Sequence, residues 1–296
     1  MVEPRMDKYW RRWGYVFAFP AFAVITFMFI IPMVQNIYLS LFQTDGMSVM
    51  QFVGLDNYLN MVRDSNFIRS VANSVLWVVF TIVFSVGIGL LIAIFVNGIK
   101  GENLIKSIFF MPLTISFVSV GAIWWYMYSK EYGVFNEILR LIGFKTKVDW
   151  LYTIPLNNFS LLAAWSWQQL GINLVMFLMG LTSIPSEQIE ASRIDGCNRW
   201  RTFIYVTFPM LKPITTVVVG MAIVNSFKAF DLIYIMTRGG PVRSSETLAV
   251  NMFVESFQRN NQGFGAAIGV FLAILILPIT AIYMRATSVV DHVDNK

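Results

Sequence analysis

From Val71 to Val96 the chain carries no charged side chain. A helix over that stretch is about 39 Å long at 1.5 Å rise per residue, more than the ~30 Å hydrocarbon core of a bilayer. Five further apolar stretches accompany it, at 14–37, 107–127, 159–181, 214–236 and 263–284. In a bilayer the backbone must satisfy its own hydrogen bonds, which only helices and closed barrels achieve. Apolar runs of this length, broken by charge only at Lys228 and Asp231 in the fifth, predict helices, because barrel strands alternate. The expected fold is therefore all-α integral membrane, with six transmembrane helices in a single domain over residues 1–296.

Composition narrows the function. Charged residues make up 13% of the chain, about half the share of an ordinary soluble domain. The net charge of +5 fits basic flanks on spanning helices, and no basic stripe with interleaved aromatics points to nucleic acid. Cys197 is the one cysteine and His292 the one histidine, so no metal site of Cys and His is expected. No clustered set of acids, histidines or serine nucleophiles suggests a catalytic site.

Ala21-Phe22-Ala23 looks like a signal-peptide cleavage site, but it lies inside an apolar run too long for a signal peptide, so the first span is read as uncleaved. Residues 42–70 read as a polar loop, and Tyr132 to Leu141 as a short surface helix. Trp124, Trp125, Tyr126 and Tyr128 form an aromatic belt at the outer end of the third span. Six spans place both termini on one side. With that side as the cytoplasm, twelve Lys and Arg fall inside and nine outside, with Lys228 in the membrane. Gly263, Gly265, Ala266, Ala267 and Gly269 give the sixth span a face for close packing.

The segment 182–213 differs from the rest. Ser183 and Ser186 are N-cap candidates, Pro185 sits near the first turn, Glu187 complements the helix dipole, and Gly196 falls where a C-cap is expected. A second amphipathic helix places Trp200, Phe203, Ile204 and Thr207 on one face, and Pro209 is expected to break it. Neither helix is long or apolar enough to span, so a helix–Gly–helix hairpin outside the membrane is predicted.

Glu190-Ala191-Ser192, then Gly196, then Val206-Thr207-Phe208-Pro209 resemble the EAA loop of binding-protein-dependent ABC importer permeases. Ser192 replaces the second Ala of that pattern, and Val206 and Phe208 replace Ile and Leu. The run Ala191-Ser192-Arg193-Ile194-Asp195-Gly196 is similar to the carbohydrate branch. Trp165 to Pro185 resembles the segment before the loop, and Phe230-Asp231, Tyr234, Gly239-Gly240-Pro241 and Glu246-Thr247 resemble the maltose-type first permease subunit. The resemblance implies a type I ABC importer permease fold in the cell's inner membrane, multi-pass, with both termini cytoplasmic. It implies that Glu190, Ala191, Ser192, Asp195, Gly196 and Pro209 couple to an ATPase. The implied partners are a second permease, two ATPase subunits, an extracytoplasmic solute-binding protein and membrane lipid. No G-x-x-x-x-G-K-[ST] sequence is present, so no cofactor is expected on this chain, and ATP and Mg belong to the ATPase subunits.

Polar side chains in the spans are costly and tend to face an interior or a water-filled path. Gln168, Asn173 and Asn225 offer donor and acceptor to solute hydroxyls. Lys228 and Asp231 are three apart, predicting one helix face and a structural ion pair; with Tyr234 they complete the path candidates, and Trp165, Trp167, Phe227 and Tyr234 are candidates for stacking on a sugar. The expected function is import of a sugar or related polyhydroxy solute by alternating access. The alternatives are the same permease for a non-sugar solute, a secondary carrier, or an integral-membrane enzyme. A lone carrier would show inverted repeats or broken helices, and the sequence shows neither.

Overall fold

A computed structural model describes residues 8–47 and 50–293 of the chain. The segments bearing Arg5 and Lys296, two of the cations assigned to the inside, lie outside the described residues. Four unbroken helices are long and apolar enough to cross a bilayer: α1, Trp13–Leu39; α3, Ser65–Val96; α7, Leu156–Thr182; and the Gln262–Arg285 part of α13, Gln262–Val293. Two bent pairs bring the number to as many as six, if each pair counts as one span by length and composition. One is α4, Glu102–Thr114, with α5, Phe117–Met127; the other is α9, Arg199–Met210, with α10, Lys212–Phe227. Shorter helices fill the connections: α2, Asp56–Arg63; α6, Val134–Leu141; α8, Ser186–Ile194; α11, Asp231–Thr237; and α12, Leu248–Phe253.

Several elements differ from expectation for local reasons. Much of 42–70 is helical: α2 covers Asp56–Arg63, and Asp64 then caps the start of α3 by accepting a 2.7 Å hydrogen bond from the Phe67 N–H. The third span is broken, with its halves at 98°. Pro112 lies in a 3-10 turn at Met111–Thr114, and Ser116 starts the second half by capping the Ser119 N–H at 3.2 Å. The absence of broken helices inferred from the sequence is thus corrected. Inside α3 a π-turn spans Thr81–Val86.

The chain divides into two compact units. The first holds 1–62 and 252–270, and the second holds 63–251 and 271–296. In the first, Phe42–Gln43 pairs antiparallel with Gln51–Phe52, and Asn57 donates to the carbonyls of Ser40 and Phe42 at 2.8 and 2.9 Å. None of the apolar window of α1 is buried. Its large side chains face outward, as lipid, an apolar solvent, allows.

The second unit is built around α7, the least hydropathic of the unbroken spans and the most buried, at 56% of its window. Hydropathy and burial run opposite to a soluble protein, because polar groups are the ones that need cover in lipid. Leu174, Phe177, Leu178 and Leu181 of α7 pack with Val86 and Ala93 of α3 and with Val218 and Ala222 of α10. Gly171 lets α7 approach α4 so closely that a Cβ there would collide with the Phe109 carbonyl. At one end of α7, Asn73, Asn157 and Asn158 hold the 240–247 turn. Asn73 donates to the carbonyls of Ser244 and Glu246, both at 2.8 Å, Asn158 to that of Ser244 at 3.0 Å, and Asn157 to the Ser244 hydroxyl at 2.8 Å.

Candidate functional site

Two regions gather the residues singled out by the sequence. The first is a crevice of about 20 Å³ where α3, α7 and α10 meet, lined among others by Thr81, Trp165, Gln169, Asn173 and Asn225. Asn173 is buried and donates to the Ser85 hydroxyl at 2.9 Å, which fixes its amide against α3. Asn225 is half-buried on α10, across from it. The indole of Trp165 is held by Phe117, stacked at 4.7 Å, and by Trp77, edge-on at 5.5 Å. A void needs roughly 10–15 Å³ to admit one water, so the crevice takes a water and not a sugar. Between these helices the structure is closed.

Other candidates stand elsewhere. Gln168 is 2% exposed, and its Nε2 donates at 2.6 Å to the Ile115 carbonyl, which the break in the third span leaves open. It faces the α4–α5 junction, and its neighbour Gln169 faces the crevice. Lys228 caps the end of α10 and Asp231 begins α11, both exposed. The shared helix face and the ion pair expected for them are corrected: the helix stops between them, and among the described ion pairs none joins them. Tyr234 of α11 stacks at 5.1 Å on Phe230, the residue that precedes the helix. Trp167 lies edge-on to Trp124 at 5.8 Å, in the aromatic cluster at the end of α5.

A larger groove of about 670 Å³ runs between α10 and the end of α13, lined by Phe208, Val219, Ile223, Ile279, Ile282 and Tyr283 among others. Its polar lining is Lys212, Thr215 and Thr216. It is larger than the crevice but chemically a poor match for a solute rich in hydroxyls.

The second region is the hairpin. Glu190, Ala191, Asp195 and Gly196 lie on its exposed surface, with Ile194 86% exposed and Trp200 69%. Ser192 points inward instead: it is buried, and its hydroxyl lies 3.1 Å from that of Thr202, tying the two helices together. Gly196 has φ +80°, a left-handed conformation that side chains disfavour. One local expectation is corrected, and the break expected at Pro209 is found. Neither Ser183 nor Ser186 caps α8: Pro185 occupies the N-cap without a side-chain hydrogen bond, and Ser183 closes α7. Pro209 lies in the last turn of α9, and the helix ends one residue later, at Met210, where the chain turns by 67°. The cap that sequence reasoning missed is Asn198, whose side chain accepts from the Arg201 N–H at 2.9 Å. An Asn just before a helical run was the available signal.

Thr81 and Gln169 are the crevice residues that sequence reasoning missed. Thr81 looks like any hydroxyl in an apolar run, and a π-turn carries no sequence mark. Gln169 sits beside Gln168, and only helix rotation decides which of the two faces the crevice.

The pattern of the family described as binding-protein-dependent transport system inner membrane component matches residues 85–292. The osmoprotective compounds uptake permease protein GgtC of Synechocystis is 35% identical over 272 residues, 90% of this chain and 95% of that protein. The alpha-glucoside transport system permease protein AglF of Rhizobium meliloti is 35% identical over 273 residues, covering 90% and 79%. The arabinooligosaccharides transport system permease protein AraP of Bacillus subtilis is 30% identical over 275 residues, covering 92% and 87%. A chain in the crystal structure of a bacterial alginate ABC transporter, in complex with alginate pentasaccharide-bound periplasmic protein, superposes with a TM-score of 0.82 at 20% identity, covering 95% of this chain and 96% of that one.

Proposed function

We propose, on the premise that this chain belongs to the family of binding-protein-dependent transport system inner membrane components, that it is the permease subunit through which an ATP-driven importer moves a sugar or related polyhydroxy solute into the cell. The observation that carries this reading is the crevice where Asn173 and Asn225, from two different helices, meet Trp165 and Gln169. Amides paired with an indole suit a neutral solute that presents hydroxyls on an apolar ring. The relatives named for alpha-glucosides and arabinooligosaccharides support a carbohydrate.

The machine around this subunit follows from what the chain lacks and offers. ATP and Mg bind to two partner ATPase subunits, and no cofactor binds here. Force enters through the 182–213 hairpin, where Glu190, Ala191, Asp195 and Gly196 offer an exposed docking face and Ser192 keeps it rigid. A second permease subunit completes a heterodimer, and an extracytoplasmic binding protein delivers the solute, as the complex of the alginate transporter with its periplasmic protein supports. Both termini and the hairpin lie in the cytoplasm. Transport alternates access: the crevice opens as α10 moves relative to α7 when the ATPases close.

Replacing Asn173 or Asn225 by Leu removes a donor and acceptor from a desolvated site, an effect of about 1–3 kcal/mol. Uptake per assembled complex is expected to fall several-fold or more while assembly and basal ATP hydrolysis persist. Unchanged uptake in both variants would remove the crevice from the path.

A further inference from the structure

The crevice contains two polar atoms to which the path reading gives no role: the Thr81 hydroxyl, and the indole N–H of Trp165, whose ring alone was a stacking candidate. Thr81 is 2% exposed and Trp165 4%. Both line the crevice, and the Thr81 hydroxyl and the Trp165 Nε1 are buried without a hydrogen-bond partner among the described residues. Other buried side-chain atoms lack a described partner too, Trp77 Nε1 beside Trp165 among them, but Thr81 and Trp165 line one small void together, where a shared partner would satisfy both. Neither is there by default. Thr81 opens the π-turn that interrupts α3, and π-turns inside α-helices concentrate at functional sites. The same turn carries Ser85, the partner of Asn173. The Trp165 ring is clamped by Phe117 and Trp77, so it cannot rotate freely to find a partner.

We propose that Thr81 and Trp165 form a subsite of the solute path that receives one hydroxyl group of the passing solute. The Trp165 N–H donates to the incoming oxygen, and the Thr81 hydroxyl donates or accepts as that oxygen requires. The void, about 20 Å³, is the size of a single water or hydroxyl group. This rests on the reading of the crevice as the path, and adds to the two asparagines a contact from α3.

The test uses the intact complex purified through this chain. Thr81→Cys and, separately, Asn225→Cys complexes are treated with 2-hydroxyethyl methanethiosulfonate, nucleotide-free and trapped with ATP and vanadate. Mass spectrometry follows modification above that of the parent chain, which carries Cys197. Both cysteines should react at least about tenfold faster in one trapped state than in the other, as when a minor open conformation becomes the main one. The hydroxyethyl reagent should also outpace its lipid-soluble propyl analogue at residue 81. A state-dependent Asn225→Cys beside a Thr81→Cys that is unreactive, or reacts faster with the propyl reagent, would overturn the subsite and leave the crevice reading standing. No state dependence at either position would overturn both. Hydroxyl-radical footprinting of Trp165 in the unmodified complex gives a second measurement that needs no cysteine: its oxidation must follow the same switch, and constant oxidation would overturn the subsite.

Discussion

Gln168 and Asn173 are both buried amides on α7, yet the structure gives them different work. The Gln168 amide closes the Ile115 carbonyl left open at the break in the third span, and Asn173 lines the crevice. Gln168→Leu is therefore expected to destabilise the chain by about 1–3 kcal/mol, through an unsatisfied buried carbonyl, with uptake per surviving complex near normal. Thermal unfolding and uptake normalised to assembled complex read these separately; a transport defect without a stability loss would return Gln168 to the path. The sequence could mark both amides, because an amide in a span needs a polar neighbour. It could not say which neighbour, since that depends on a helix break and a rotation set by packing. For the same reason the Lys228–Asp231 pair was misplaced: spacing of three implies a shared face only while the helix continues.

At the scale of elements, the hairpin was legible because its signals are local: charge, a glycine at the turn, and no stretch long enough to span. Its end, one residue after Pro209, was legible from the proline; its cap was not, because the backbone chose Pro185 over two serines. A Cβ at Gly196 would meet nothing within 4 Å among the described residues, so a side chain there is resisted by the backbone conformation and by whatever docks on the hairpin. Glu190→Lys and Gly196→Asp are expected to leave the chain inserted while weakening its association with the ATPase or uncoupling hydrolysis from uptake. Co-purification and coupled uptake check this; normal values for both variants would remove the hairpin from the coupling route. The break between α4 and α5 was not legible, because Pro112 alone does not distinguish a kink from a full turn.

At the scale of the molecule, six apolar stretches were enough to give the class, since lipid leaves a chain few solutions. The division into two compact units was not legible, because α13 runs unbroken through the boundary near Val270. Orientation rests on a modest excess of inside cations and on the hairpin needing ATP-side access. Cys197 in the hairpin turn is half-exposed. A membrane-impermeant maleimide should label it in inverted vesicles and not from outside intact cells; outside labelling would reverse the topology.

The central claim is that the crevice between α7 and α10 must open for solute to pass. In a chain carrying Cys197→Ser, the pair Asn173→Cys and Asn225→Cys places two thiols on opposite walls of the crevice, and a short bifunctional thiol reagent can bridge them. With each single variant as control, the bridged complex should assemble and stop importing, and a reducible bridge should restore uptake to the unbridged level when cut. Full bridging with undiminished uptake would contradict the account.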